Sequence, residues 1–262
     1  AKWIDVGGNV SGNYVRNNQI PGSNLGTSII ERLIQQRPYD RPYTPSGDYY
    51  LGGTDQLAFH NPLQILNEQK SFFDNYRFIG NFYANLRFLD DKLQVRTVYN
   101  ADLSYTFDYT YYNEFHPYGT GVGRVVEYYR IIPNTLFETF ATYNDKFGSF
   151  DLSAMLGHSF QAISRRQSVV DGRGFPSPSS GMLDSAAKIE SAGGSFNEYA
   201  MESYFSRATL SYKDRYMFTE TLRTDGSSKF ARENRWGWFP SASFGWNVSK
   251  EEFMEGLDVD LK

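Results

Sequence analysis

The residues of this 262-residue chain whose types could do chemistry are its 3 histidines, one glycine-rich run and some paired carboxylates. His60, His116 and His158 stand apart. None belongs to an H-x-x-H or Cys/His set of the kind that closes a metal site. Gly119-Thr120-Gly121-Val122-Gly123 has the composition of a phosphate cradle. It lacks the G-x-G-x-x-G spacing and a strand-to-helix context, so it reads as a loop. Asp225-Gly226-Ser227-Ser228 offers serines without a G-x-S-x-G elbow or a histidine at a motif distance, and its composition is that of a turn. Asp90-Asp91 and Glu251-Glu252 fall in expected turns, where adjacent side chains on opposite sides cannot share acid–base work. The sequence therefore predicts no catalytic constellation, no metal and no cofactor, and a protein that is not an enzyme.

A second polar set is better ordered. Arg77, Asn81, Asn85 and Arg87 alternate with Tyr76, Phe78, Phe82, Ala84, Leu86 and Phe88. Arg96, Asn100 and Asp102 alternate with Leu93, Val95, Tyr99, Ala101 and Leu103, and Asp151 and Arg207 hold the same parity in later runs. A period of two is the mark of a strand with one apolar and one polar face. Such polar residues either satisfy whatever fills the inside of the sheet or line a path for solute, and buried polar groups need partners in both cases.

The strands expected from this pattern are Lys2–Tyr14, Tyr76–Leu89, Leu93–Tyr105, Thr135–Phe147, Phe150–Phe160, Ser203–Tyr212, Tyr216–Leu222 and a last one from Trp236. Asp90-Asp91, Gly148-Ser149 and Lys213-Asp214-Arg215 make tight turns at one end. Long connections at the other end are expected over Val15–Asn75, Thr106–Asn134 and Gln161–Glu202. Ser28–Gln36 has the spacing of a short helix with Ser28 as its cap, stopped by Pro38, Pro42 and Pro45. Glu220 fits badly, because the parity of Phe218 and Leu222 puts it on the apolar face. A one-residue slip would cure this only by turning the apolar residues inward.

Composition narrows the class. Net charge is −4, which gives no basic footprint for nucleic acid, and there is no cysteine for a disulfide or a thiolate metal site. Aromatics make up 17% of residues. No run approaches the ~20 apolar residues of a spanning helix, but a barrel strand hides half its residues from lipid and looks polar on average. Trp236, Trp238 and Trp246 share the apolar parity of the last strand and read as lipid-interface aromatics. Trp236 and Trp246 lie about 25 Å apart along the membrane normal at a tilt near 40°, the height of a lipid-facing band. Short turns at one end and long loops at the other complete the pattern of a transmembrane β-barrel wall.

One stretch carries a resemblance. Arg223-x-Asp225-Gly226-Ser227-Ser228-x-Phe230, then Asn234-Arg235-Trp236-Gly237-x-Phe239-Pro240-Ser241 and Phe244-Gly245-Trp246, resembles the barrel signature of the SusC/RagA family of TonB-linked outer-membrane transporters. Ser203-Tyr204-Phe205-x-Arg207, Tyr212-Lys213-Asp214-x-Tyr216, Asn61-Pro62-Leu63 and Glu252-Phe253-Met254 are similar to that family as well. The resemblance implies an all-β antiparallel fold, about eight strands of a plugged barrel of roughly 22 strands. Residues 1–262 would be part of the barrel domain, without the plug or the segment that contacts the TonB complex. It also implies the bacterial outer membrane as location and import of oligosaccharides or peptides. A SusD-like lipoprotein would be the partner, and membrane lipids would surround the wall. The alternative is a soluble carbohydrate-binding β-sandwich, which would bury apolar inner faces as a core.

Overall fold

The computed structural model describes residues 3–19, 29–50, 61–116, 118–177 and 180–254. Eight strands form one antiparallel sheet in chain order. They are β1 (Ile4–Asn18), β2 (Gln69–Phe88), β3 (Leu93–Tyr112), β4 (Arg124–Phe147), β5 (Phe150–Arg173), β6 (Lys188–Tyr212), β7 (Tyr216–Ser227) and β8 (Trp236–Trp246). Two short helices, α1 (Ile29–Gln35) and α2 (Pro62–Glu68), lie in the connection between β1 and β2.

The ladder carries the alternation sideways, because directly opposed residues share a face. Gly8, Phe82 and Tyr99 stand in one row, and Asn9, Asn81 and Asn100 in the next. The apolar face stays uncovered: Phe78 is 52% exposed, Leu156 66% and Phe244 68%. A sandwich would bury such a face against a second sheet. This sheet instead exposes its apolar side and pairs its polar one, the arrangement of a barrel wall in lipid.

Tight turns join the strands where they were expected. Leu89, Asp90 and Asp91 have φ of 55°, 53° and 70°, and Lys213 and Asp214 have 50° and 52°. Two consecutive positive φ values match the right-handed twist of a hairpin, and Asp tolerates them better than most residues. Gly148 supplies the third turn with φ 61°.

The strands are longer than the alternation foretold, and several expectations need correction. Thr106–Asn134 and Gln161–Glu202 are not long loops. β3 and β4 run on to Tyr112 and back from Arg124, and β5 and β6 continue through Arg173 and Lys188. Likewise β1 extends to Asn18 and β2 begins at Gln69. Asp225-Gly226-Ser227 is the top of β7 rather than a turn, which starts only at Ser228. Asn61-Pro62-Leu63 opens a helix that was not foreseen: Asn61 caps α2, its side chain accepting from Leu63 N–H at 2.9 Å. Ser28 and His60 lie outside the described residues. His158 lies within β5.

At the turn side one buried carboxylate fastens the ends of β7 and β8. Glu251 is 8% exposed. It accepts from Tyr216 Oη–H, from Trp246 Nε1–H at 3.0 Å and from Arg215 Nη1–H at 2.9 Å. These donors hold its carboxyl below the usual glutamate range, the Tyr216 and Trp246 bonds first. A lowered pKa in the folded state adds stability above the ordinary glutamate range, and that stability is lost as pH falls through the lowered value. Glu251→Gln is therefore expected to lower the melting temperature of the full-length protein in detergent by a few degrees at pH 7. The gap to the unaltered protein should close on acidification below the usual glutamate range, as read by thermal unfolding across pH.

Candidate functional site

The polar face is the candidate site, and it is built as a series of cross-strand pairs. Arg77 on β2 and Asp102 on β3 form a two-pronged ion pair, Nε to Oδ1 at 2.9 Å and Nη2 to Oδ2 at 2.6 Å. Asn81 donates to Asn100 across the same two strands, and Asn85 donates to Asp5 on β1 at 3.3 Å. Arg96 lies over the Tyr83 ring, 4.9 Å from its centroid. Asp151 at the turn end pairs with Lys146 at 3.0 Å. Arg87 and Arg207 share this face through Gln94 and Met155, and their side chains make no bond among the described residues.

The register adds residues that the sequence reading left out. Asn75 donates to Ser104 Oγ at 3.1 Å and to Thr106 Oγ1 at 2.8 Å. Gln161 donates to Asn134 at 3.0 Å. These sit where the strands were taken for loops. Extending the parity of Arg77 by one more pair would have found Asn75. This face presents hydroxyls, amides, the neutralised Arg77–Asp102 and Lys146–Asp151 pairs, and arginines without a carboxylate partner among the described residues.

The signature stretch closes the top of β7. Arg223 Nε donates to both Asp225 oxygens at 2.8 and 2.9 Å, and its Nη2 reaches Ser203 Oγ at 3.3 Å. Gly226 is small for a reason: a Cβ there would come 2.8 Å from the Trp236 indole. Ser227 N–H donates to Arg235 O at 3.1 Å, and Ser228 binds back to β6 at Ala200. Phe239 and Ser241 are on the polar face with Arg223 and Thr221, while Trp236, Trp238, Pro240 and Trp246 are on the apolar one. The Ser227–Arg235 bond fixes which β8 residues face β7, so the Pro240 nitrogen points away from β7 and removes no bond from that ladder.

Two polar features lie on the apolar face. Glu220 stands between Ala208 and Ala242, with no partner among the described residues. His158, Glu202 and Tyr204 form a cluster higher up, with His158 Nε2 2.9 Å and Tyr204 Oη 2.8 Å from Glu202 Oε1. Tyr204 also packs near Trp236, ring centroids 6.0 Å apart. Among the described residues no carboxylate and histidine group has the arrangement of a metal site.

At the loop side the connections clasp one another. Asn61 Nδ2 donates to Pro42 O at 2.7 Å and Tyr50 O at 3.0 Å, and Gln64 of α2 donates to Phe115 O at 2.7 Å. Glu68 receives Tyr49 Oη–H at 2.7 Å and the Asn113 amide. The loop after β5 folds over β3: Tyr109 Oη–H reaches Gly181 O at 2.6 Å, and burial pushes the Tyr109 phenol up to about 12.

No protein-family model matches the chain. TonB-dependent receptor P3 of Formosa agariphila is 31% identical over 244 residues, 89% of this chain and 24% of that protein. TonB-dependent receptor SusC of Bacteroides thetaiotaomicron is 28% identical over 247 residues, 84% of this chain and 23% of its own length. The structure of the RagAB peptide transporter matches with a TM-score of 0.81 at 21% identity, over 97% of this chain and 29% of the other. That likeness is one of fold. The chain spans about a quarter of the length of the curated relatives it matches.

The Arg77–Asp102 pair is half open to solvent, with side-chain exposures of 51% and 29%. Its coupling should be small, as for an ion pair open to solvent. Arg77→Ala, Asp102→Ala and the double variant, compared by denaturant unfolding in detergent, are expected to give a small favourable coupling that falls with added salt.

Proposed function

We propose that residues 1–262, of which 89% align with a TonB-dependent receptor at 31% identity, are a stretch of barrel wall in a TonB-dependent outer-membrane importer of the SusC/RagA kind. The whole barrel would have about 22 strands around a plug. The plug and the segment that contacts the TonB complex would come from the rest of the polypeptide. The reading places the protein in the bacterial outer membrane. It makes the cargo an oligosaccharide or a peptide too large for passive diffusion, and a SusD-like lipoprotein the lid on the cell surface.

The observation that carries this reading is the pairing of an uncovered apolar face with a cross-linked polar face on one sheet. In the closed barrel the apolar face meets lipid. Arg77, Asn81, Asn85, Arg87, Arg96, Asn100, Asp102, Asp151 and Arg207 then face the lumen, where they bind plug, water or cargo. Arg77 is neutralised by Asp102 and Asp151 by Lys146, whereas Arg87, Arg96 and Arg207 have no carboxylate partner among the described residues and stay free for such contacts. The clasped loops at the other end form the surface on which a lid would rest.

Topology tests this directly, because the chain has no cysteine of its own. Single cysteines at Tyr39 and Met182 lie on the loop side, where those side chains are 76% and 69% exposed. Single cysteines at Ser149 and Glu252 lie on the turn side. A bulky membrane-impermeant maleimide on intact cells is expected to label the first two only. Permeabilising the outer membrane should then admit the second two. Labelling of all four in intact cells would contradict a wall that crosses the membrane.

A further inference from the structure

The sheet contains one long open edge that is not at either end of its strand order. β6 has β5 beside it from Lys188 to Tyr212, but β7 pairs with it only over Met201–Tyr212. The ladder stops where Ser228 closes on Ala200. Ser228 N–H donates to Ala200 O at 2.9 Å, and Ala200 N–H donates to Ser228 Oγ at 2.8 Å. Beyond that closure, from Glu198 up to Lys188, β6 has no strand on that side among the described residues, and every residue of it is exposed.

The direction of the unpaired groups follows from the closure. Ala200 turns its N–H and C=O toward β7. Alternation therefore turns those of Glu198, Phe196, Gly194 and Ala192 toward the open side, while the residues between them pair with β5. The register with β5 is unbroken over this stretch and slips only at Asp171/Gly172. At a tilt near 40° the open edge begins about 35 Å above the β6–β7 turn and ends near 60 Å. It stands clear of the lipid band on the loop side.

Sheet proteins normally guard such an edge with proline, a bulge or inward charges. From Ser191 to Asn197 this one has none of them. Ala192, Gly193, Gly194 and Ser195 leave the backbone accessible, and its charges, Lys188, Glu190 and Glu198, lie toward its two ends. Paired N–H and C=O groups repeating every ~6.6 Å match an extended polypeptide and neither a glycan nor a lipid. Beside the foot of the edge the outer face is hollowed by about 360 Å³, lined by Pro133, Thr135, Ala162 and Ser228 among others. A hollow there can take a side chain of an added strand.

We propose that this edge receives an extended segment of the surface lipoprotein lid, which adds as a strand beside Ala192–Glu198. The proposal rests on the importer reading above. Two other occupants fit less well. A later segment of the same polypeptide would have to cross the β7–β8 connection to reach the edge, and sheets avoid crossed connections at one edge. A transported cargo would have to break the whole ladder at every turnover.

Hydrogen exchange on the full-length protein in detergent, alone and with excess purified lid lipoprotein, tests this. Alone, the amides of Ala192, Gly194 and Phe196 should exchange fast, and those of Gly193, Ser195 and Asn197 slowly. With the lid, the first three should slow by about a hundredfold. Ala192→Pro removes an edge donor without touching the β5 ladder and should weaken lid binding about tenfold. Ala192→Ser should bind as the unaltered protein does. Slow edge amides in the protein alone would show that its own chain covers the edge, and would overturn the proposal. Lid binding unaffected by Ala192→Pro, with edge amides still fast, would overturn strand addition and leave the lid itself standing. Failure of the unaltered protein to bind the lid would overturn both.

Discussion

On the proposed barrel-wall reading the structure depends on one constraint: a backbone N–H or C=O that faces hydrocarbon has no water to bind and must be paired within the protein. A sheet meets this only where each strand has a neighbour on both sides. The ladder from β1 to β8 is accordingly continuous through the part of every strand that carries the apolar alternation. Its interruption between Ile131↔Arg166 and Asn134↔Ile163 falls at Pro133, which has no N–H to give. That gap lies well above the turn end, where water can serve the carbonyl left behind. The open edge of β6 also lies above the band. Both breaks in the ladder therefore sit where the constraint no longer applies.

The same constraint assigns the faces. Once the backbone is paired, the outward side chains need only be apolar, and size matters little, so Gly8, Ala84, Ala101 and Phe82 coexist on one surface. The side chains of the polar face need partners, and the Arg77–Asp102 and Asn81–Asn100 contacts supply them across one strand boundary. Glu220 is the residue this logic does not explain. Nothing among the described residues pairs with it, and its neighbours Ala208 and Ala242 offer no donor.

The sequence was legible in proportion to the force of that constraint. Between the turns and the upper aromatics, one face must be apolar, so the alternation of Tyr76–Phe88 or Phe150–Phe160 is plain. Above that level neither face must be apolar. Gln161–Arg173 and Lys188–Met201 lose the pattern while remaining strands, and the sequence reading took them for loops. Pro133, a residue type that marks loop or edge in most sheets, lies inside β4 in the other stretch taken for a loop. Asp225-Gly226-Ser227 has turn composition, yet its glycine is there to seat Trp236 and its aspartate to hold Arg223. Parity gives the face of a residue such as Asn100 or Asp102. It cannot give the partner, which needs the register between strands distant in sequence. The clasp of Asn61 on Pro42 and Tyr50 was out of reach for the same reason.

The central claim is that one sheet separates lipid from a polar interior by strict alternation. Nitroxide labels placed singly at each residue of Phe78–Phe88 measure this most directly. Each would be tested in lipid bilayers for collision with oxygen, which concentrates in hydrocarbon, and with a polar nickel chelate. The account predicts a period of two, with even-numbered positions reached by oxygen and odd-numbered positions reached only by the chelate or by neither. Nickel access of equal strength at every position, without alternation, would contradict it.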